Sequence, residues 1–167
     1  TIVVDLVGFG HSDKPDPATF TYDQTARNQQ LIDFIEALGL TRVNLIGNSM
    51  GGATSLGVTM ARPDLVANLI LMGSAGYSNE VSPELATILH YDFTREGMRK
   101  VVGALTNPQF EASEAQIDYR FQSSIEPATR AAYGATMAWV REVGMAYPPA
   151  EIACESLTIS SLCLLKS

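Results

Sequence analysis

Apolar and β-branched residues gather at the start of the chain, where Thr1-Ile2-Val3-Val4-Asp5-Leu6 is closed by Gly8 and Gly10. A short run of this kind predicts a strand buried on both faces, as in a parallel sheet. Pro15 and Pro17 mark a loop, and Thr21-Tyr22-Asp23-Gln24 then has the spacing of a capping box with Thr21 as N-cap. Beyond it the period changes, because Leu31, Ile32, Phe34, Ile35 and Leu38 fall on one face of a helix that Gly39 ends. Val43-Asn44-Leu45-Ile46-Gly47 predicts a second strand, Met50 to Ala61 a helix stopped by Pro63, and Asn68 to Met72 a third strand. Strands alternating with helices predict an α/β fold with a parallel sheet and right-handed crossovers.

From Ser82 the strand-like runs give way to helix starts. Ser82 before Pro83, Thr94 before Arg95-Glu96, Ser113 three residues before Gln116, and Glu126-Pro127 each have the chemistry of a helix N-terminus. A helical block after αβ alternation predicts a segregated lid. The expected organisation is therefore a core over 1–80 and a helical lid over 81–150. The tail over 151–167 fits neither: Ser156 to Leu165 is apolar and serine-rich and could pass for a strand. Trp139, Tyr133 and Met137 are expected in a helix core rather than on substrate.

Composition narrows the class. An apolar content of 46% suffices for a packed core, and the net charge of −7 argues against a nucleic-acid or anionic-membrane partner. No run approaches the roughly 18 apolar residues of a membrane span, and the amino end has no signal-peptide pattern, so a cytoplasmic location is expected. Cys154 and Cys163 have no metal-type spacing with either histidine, which suggests isolated thiols and no metal site.

Gly47-Asn48-Ser49-Met50-Gly51 is a G-x-S-x-G pentapeptide, and its context gives it meaning. It follows a predicted strand and opens a predicted helix, so Ser49 falls in a tight strand-to-helix turn. Such a turn strains the serine backbone and calls for small neighbours, since a Cβ at Gly47 or Gly51 is expected to collide with adjacent chain. Gly52 would let the helix pack close to the sheet. The geometry would lift the Ser49 hydroxyl above the sheet as a nucleophile and aim the Met50 N–H, at a helix N-terminus, at a developing oxyanion. Read blandly, the same residues are an ordinary turn. Asp5-Leu6-Val7-Gly8-Phe9-Gly10-His11-Ser12 adds a glycine turn with structural hydrogen bonds from Asp5; no helix or basic residue follows that would make it a phosphate loop.

Together these segments resemble the α/β-hydrolases. The runs Gly8-Phe9-Gly10-His11-Ser12-Asp13-Lys14-Pro15 and Leu45-Ile46-Gly47-Asn48-Ser49-Met50-Gly51-Gly52-Ala53 are similar to those of the meta-cleavage product hydrolases, which cleave C–C bonds in aromatic degradation. Tyr91-Asp92 and Tyr119-Arg120 of the lid are similar too. The resemblance implies a partial α/β-hydrolase fold with a helical lid, a small-molecule substrate of the 2-hydroxy-6-oxo-dienoate class, no cofactor and a homo-oligomeric parent. It further implies that Ser49 acts in cleavage, Met50 supplies an oxyanion N–H, Asn48 orients the dienoate and Arg120 holds its carboxylate. A guanidinium suits a carboxylate in a dry pocket. Arg120 could equally pair with Asp118, Glu114 or a neighbouring acid on a solvated helix face.

A serine triad also needs a histidine base and an acid to orient it. The chain's two histidines, His11 and His90, do not occupy the family positions and are expected in loop or surface settings. The tail lacks the expected aspartate segment, and it departs from the pattern near Glu151. With the abrupt apolar start, this suggests an internal, truncated or frame-shifted fragment that is inactive alone and aggregation-prone at its sheet edges. An esterase or lactonase, and a noncatalytic relative that binds a small apolar acid, remain as alternatives.

Overall fold

The computed structural model describes residues 1–147. Cys154, Cys163 and the predicted Ser156–Leu165 strand lie outside the described residues, as does the end of the 81–150 block. The chain divides into two compact units. One comprises Thr1–Val7, Asp23–Asn79 and the stretch from Gly144; the other comprises Gly8–Tyr22 and Glu80–Val143.

The first unit is an α/β layer. Helix α1 (Gln24–Ala37) precedes strand β1 (Val43–Asn48), helix α2 (Met50–Ala61), a 3-10 turn (Pro63–Leu65) and strand β2 (Val66–Met72). The strands pair in parallel, from Asn44 opposite Asn68 to Asn48 opposite Met72. A parallel pair needs a crossover, and α2 supplies it. Leu31, Ile32 and Ile35 of α1, Val58 of α2 and Leu65 form the core, against which Val43, Leu45 and Val66 pack. The alternate strand residues point away from that core, which leaves Ile46 65% exposed.

Three expectations are corrected here. Thr1 to Leu6 does not form a strand. A strand is held by its ladder, and among the described residues β1 and β2 pair only with each other. The amino-terminal backbone instead finds the side chain of Gln30, whose Oε1 accepts from the Val7 N–H at 2.7 Å and whose Nε2 donates to Asp5 O at 3.1 Å. Val4 reaches the core, while Val3 is 91% exposed.

The N-cap of α1 is Asp23 rather than Thr21, with the Asp23 carboxylate accepting from the Ala26 N–H at 2.7 Å. A carboxylate also complements the helix dipole, and Gln24, freed from the capping box, turns inward. At the other end Gly39 (φ 65°) donates to Glu36 O and Leu40 to Ile35 O, closing the helix as expected. Leu38 is the C-cap and stays about half exposed instead of joining the apolar face.

The second unit is helical: α3 (Pro83–Leu89), α4 (Arg95–Leu105), α5 (Glu114–Ile125) and α6 (Pro127–Val143). Ser82, Thr94 and Ser113 cap the first three as expected, and Ser113 with Gln116 forms a full capping box. Tyr91, Met98, Val101, Val102 and Ile117 make its core, and Phe93 and Tyr133 pack against it. The loop Gly8–Tyr22 belongs to this unit. Gly8 (φ 91°) lies where a Cβ would sit 2.8 Å from the Tyr22 ring and 3.1 Å from the Ala132 Cβ, so both its conformation and its contacts require glycine.

Candidate functional site: the turn at Ser49

The turn between β1 and α2 is where chain geometry departs most from the ordinary. Ser49 has φ 50° and ψ −120°, a region that L-residues rarely enter. Holding a non-glycine residue there costs about 1–3 kcal/mol, so the surroundings must over-determine it. They do so through the backbone: the Ser49 N–H donates to Met72 O at 3.2 Å, and Ser49 O accepts from Gly52, Ala53 and Ala75 at 2.9, 3.2 and 3.0 Å. The Ser49 side chain makes no cap bond to α2 and is exposed.

Gly47 is buried in the last turn of the strand, and a Cβ there would stand 2.5 Å from Gly51 O and 2.6 Å from the Gly52 Cα. A Cβ on Gly52 would overlap the side chain of Ser74, in the loop that leaves β2. These two glycines therefore permit the close approach of strand, helix and loop. Gly51 corrects an expectation, because among the described residues a Cβ there meets nothing within 4 Å.

Met50 is the first residue of α2, so its N–H has no acceptor within the helix, and no acidic side chain occupies the first turn. The Ser49–Met50 peptide accepts three backbone hydrogen bonds on its carbonyl, and its N–H is the first of the helix. Accepting several hydrogen bonds polarises a peptide and strengthens the donor at its other end. Asn48 ends β1 with its side chain exposed, beside the same turn. Sequence reasoning missed the loop after β2: Ser74 Oγ donates to Gly47 O at 3.2 Å, and the Ala75 N–H caps Ser49. The run Gly73-Ser74-Ala75-Gly76 of small residues was the available signal.

Arg120 lies in the helical unit, exposed on α5. It lies on an exposed helix face, and among the described residues the two acids named for it pair elsewhere. Asp118 bonds Arg95 at 2.5 Å, and Glu114 bonds both Arg95 and Arg99 at 2.5 and 2.6 Å. Those two guanidiniums hold the Glu114 carboxyl down at about 2. Among the described residues Arg120 has no ion-pair partner, and it borders a cleft of about 520 Å³ with Val102, Leu105, Phe110 and Tyr119. His11 and His90 are both exposed and both belong to the helical unit, whereas Ser49 belongs to the other. Among the described residues no group of His, Cys, Asp and Glu side chains is placed to hold a metal ion, and no helix is long and apolar enough to cross a membrane.

A family model described as the alpha/beta hydrolase fold matches residues 1–150. The chain is 48% identical over 144 residues to the 2-hydroxy-6-oxo-6-(2'-aminophenyl)hexa-2,4-dienoic acid hydrolase of Metapseudomonas resinovorans, covering 86% of this chain and 49% of that protein. It is 29% identical to the 2-hydroxymuconate semialdehyde hydrolase of Pseudomonas putida, covering 86% and 50%. Among solved structures it is similar to a serine hydrolase involved in carbazole degradation (TM-score 0.73, 44% identity, covering 88% of this chain and 53% of that one). It is also similar to the 2-hydroxy-6-oxo-6-phenylhexa-2,4-dienoate hydrolase of a Rhodococcus species (TM-score 0.75, 27% identity, covering 88% and 56%). The resemblance to meta-cleavage product hydrolases is borne out, and the chain spans about half the length of the curated relatives it matches.

Proposed function

The chain belongs to the α/β-hydrolase fold family, and from that premise we propose that the whole protein hydrolyses the C–C bond of 2-hydroxy-6-oxo-dienoates, with Ser49 as nucleophile. The observation that carries this reading is the left-handed Ser49 at the head of α2, an energetic cost with no structural return unless the exposed hydroxyl is used. The identity of 48% to a dienoic acid hydrolase supports the substrate class.

In this reading water adds across the bond next to the 6-oxo group, so the acyl side leaves as a carboxylic acid and the other side as a hydroxydienoate. The Met50 N–H donates to the oxygen of the attacked carbonyl as negative charge gathers there. Asn48 orients the dienoate, and Arg120, for which no ion pair is found among the described residues, binds its carboxylate with paired N–H donors. A general base must take the Ser49 proton, and we assign it to neither His11 nor His90. We place the base and its orienting acid in the part of the protein outside these 167 residues. The organisation into a core over 1–80 and a lid over 81–150 belongs to the same proposal, as do a homo-oligomeric parent and a cytoplasmic location.

The test is loss of dienoate absorbance by the whole protein against its Ser49→Ala variant, with aryl esters as a second substrate set. Dienoate turnover is expected to fall at least roughly a thousandfold in the variant. Turnover of aryl esters alone would replace the C–C reading with an esterase, and dienoate binding with no turnover would replace it with a noncatalytic binder. The 167-residue chain alone is expected to stay at the Ser49→Ala level with both substrates.

A further inference from the structure

The buried face of α1 is divided in two. Leu31, Ile32 and Ile35 are apolar, but Gln24 and Arg27, one turn and more before them, are polar and as deeply buried, at 8% and 1% exposure. Packing alone would favour apolar residues at both places, since a buried polar group costs free energy unless its hydrogen bonds are replaced. The bonds made by this polar half converge on the first turns of α2. Gln24 Nε2 donates to Thr54 Oγ1 at 3.1 Å and to Asn28 Oδ1 at 2.9 Å, while Gln24 Oε1 accepts from Arg27 Nη2 at 3.2 Å. The Gln24 amide thus uses both hydrogens and its oxygen, and it cannot turn over without losing all three bonds.

Thr54 is fully buried, and its Oγ1 passes the line on by donating to Met50 O at 3.1 Å. A second line runs from Asn28 Nδ2 to the Tyr147 hydroxyl at 3.1 Å, and from that hydroxyl to Ala53 O at 3.0 Å. Two carbonyls at the head of α2 therefore accept side-chain bonds, Met50 O from Thr54 within α2 and Ala53 O from Tyr147, and α1 contacts those two hydroxyls through Gln24 and Asn28. The loop after β2 holds the other side of the same turn through Ala75 and Ser74. A backbone donor stabilises an oxyanion only as well as it is aimed, because misplacement by an ångström removes most of its benefit.

We propose that Gln24 and Thr54 are positioning residues that fix the head of α2, and with it the Met50 N–H, for catalysis. This rests on the reading of Ser49 and Met50 given above. Neither residue touches the reacting atoms, so the signature is a loss in the transition state and not in substrate binding.

The experiment uses the whole protein and the variants Thr54→Val, Thr54→Ser, Gln24→Leu and the double variant Gln24→Leu/Thr54→Val. Turnover of a dienoate is read together with the affinity of a boronic acid that forms a tetrahedral adduct on Ser49. Thr54→Val is expected to lower kcat roughly tenfold, with adduct affinity falling in parallel and KM staying within about twofold. Thr54→Ser, which keeps the hydroxyl, is expected to recover kcat. The double variant should lose no more than the worse single one, because both break one line. Unchanged kcat and adduct affinity in Thr54→Val would overturn the proposal, and so would strictly additive losses. Should Gln24→Leu fail to fold, the comparison of Thr54→Val with Thr54→Ser decides alone. A Ser49→Ala variant that keeps its turnover would instead sink the nucleophile reading, whatever Thr54 does.

Discussion

Replacing Ser49 by glycine is expected to make the protein more stable while removing its proposed chemistry. At φ 50° and ψ −120° the serine is held in a conformation costing about 1–3 kcal/mol, a cost that glycine does not carry. Glycine loses more backbone freedom on folding, which returns about 0.4–1 kcal/mol of that gain. The net effect is a stabilisation of about 0–2.6 kcal/mol, or up to about 10 °C in Tm for a chain of this size. Ser49→Ala is the control. It keeps the strain and, because the serine side chain makes no cap bond, it is expected to stay within about 0.5 kcal/mol of the parent. The backbone bonds to Met72 and from Ala75 survive in both variants. Thermal and urea unfolding of the three proteins side by side gives the answer. A glycine variant no more stable than the alanine variant would refute the claim that this turn stores strain.

Further expectations concern neighbouring glycines and pH. Gly47→Ala and Gly52→Ala are each expected to destabilise by about 1–3 kcal/mol, since the new Cβ meets backbone in the first case and Ser74 in the second; Gly51→Ala, facing open space in a helix, is expected to stabilise by about 0.5–1 kcal/mol. Denaturant midpoints for the three variants check the order. Glu114 is held at about 2 by Arg99 and Arg95, below its ordinary 4.5, so the stabilisation it brings is present above that value and is lost as pH falls from about 4.5 towards 2. The Tm difference between parent and Glu114→Gln should close across that window and shrink with added salt. Burial pushes Tyr133 up to about 12, with its hydroxyl donating to Ile88 O at 2.7 Å. Its contribution is present below pH 10 and is lost as pH rises through 12, and Tyr133→Phe should flatten the alkaline fall in stability over that interval.

Local chemistry was legible wherever a few adjacent residues settle the outcome. The starts of α3, α4 and α5 at Ser82, Thr94 and Ser113 followed from side chains that reach amides three residues on. The length of α2, from Met50 to Ala61, followed from the turn before it and Pro63 after it. The bend at Ser49 was legible for the same reason, since a strand, a glycine-flanked serine and a helix in direct succession leave the chain little other course.

Contacts between distant segments decided the rest. Thr1–Leu6 has the composition of a strand, but a strand exists only where a partner supplies the ladder, and the Asp5 carbonyl and the Val7 N–H bond the Gln30 side chain instead. Gly47, Gly51 and Gly52 look alike in the motif, and the three-dimensional neighbours alone show that a Cβ on the first or last collides, while among the described residues one on the middle glycine meets nothing within 4 Å. Arg120 was poised between a substrate carboxylate and an ion pair, and among the described residues Arg95 and Arg99 pair with the two acids named for it. Gln24 read as half of a capping box and became a buried link to Thr54, 30 residues away. Propensity and capping act over one helical turn, so the sequence alone could determine where elements begin and which serine is bent. Burial and hydrogen-bond partnership are settled by segments far apart in the chain, and for those the tertiary structure had the decision.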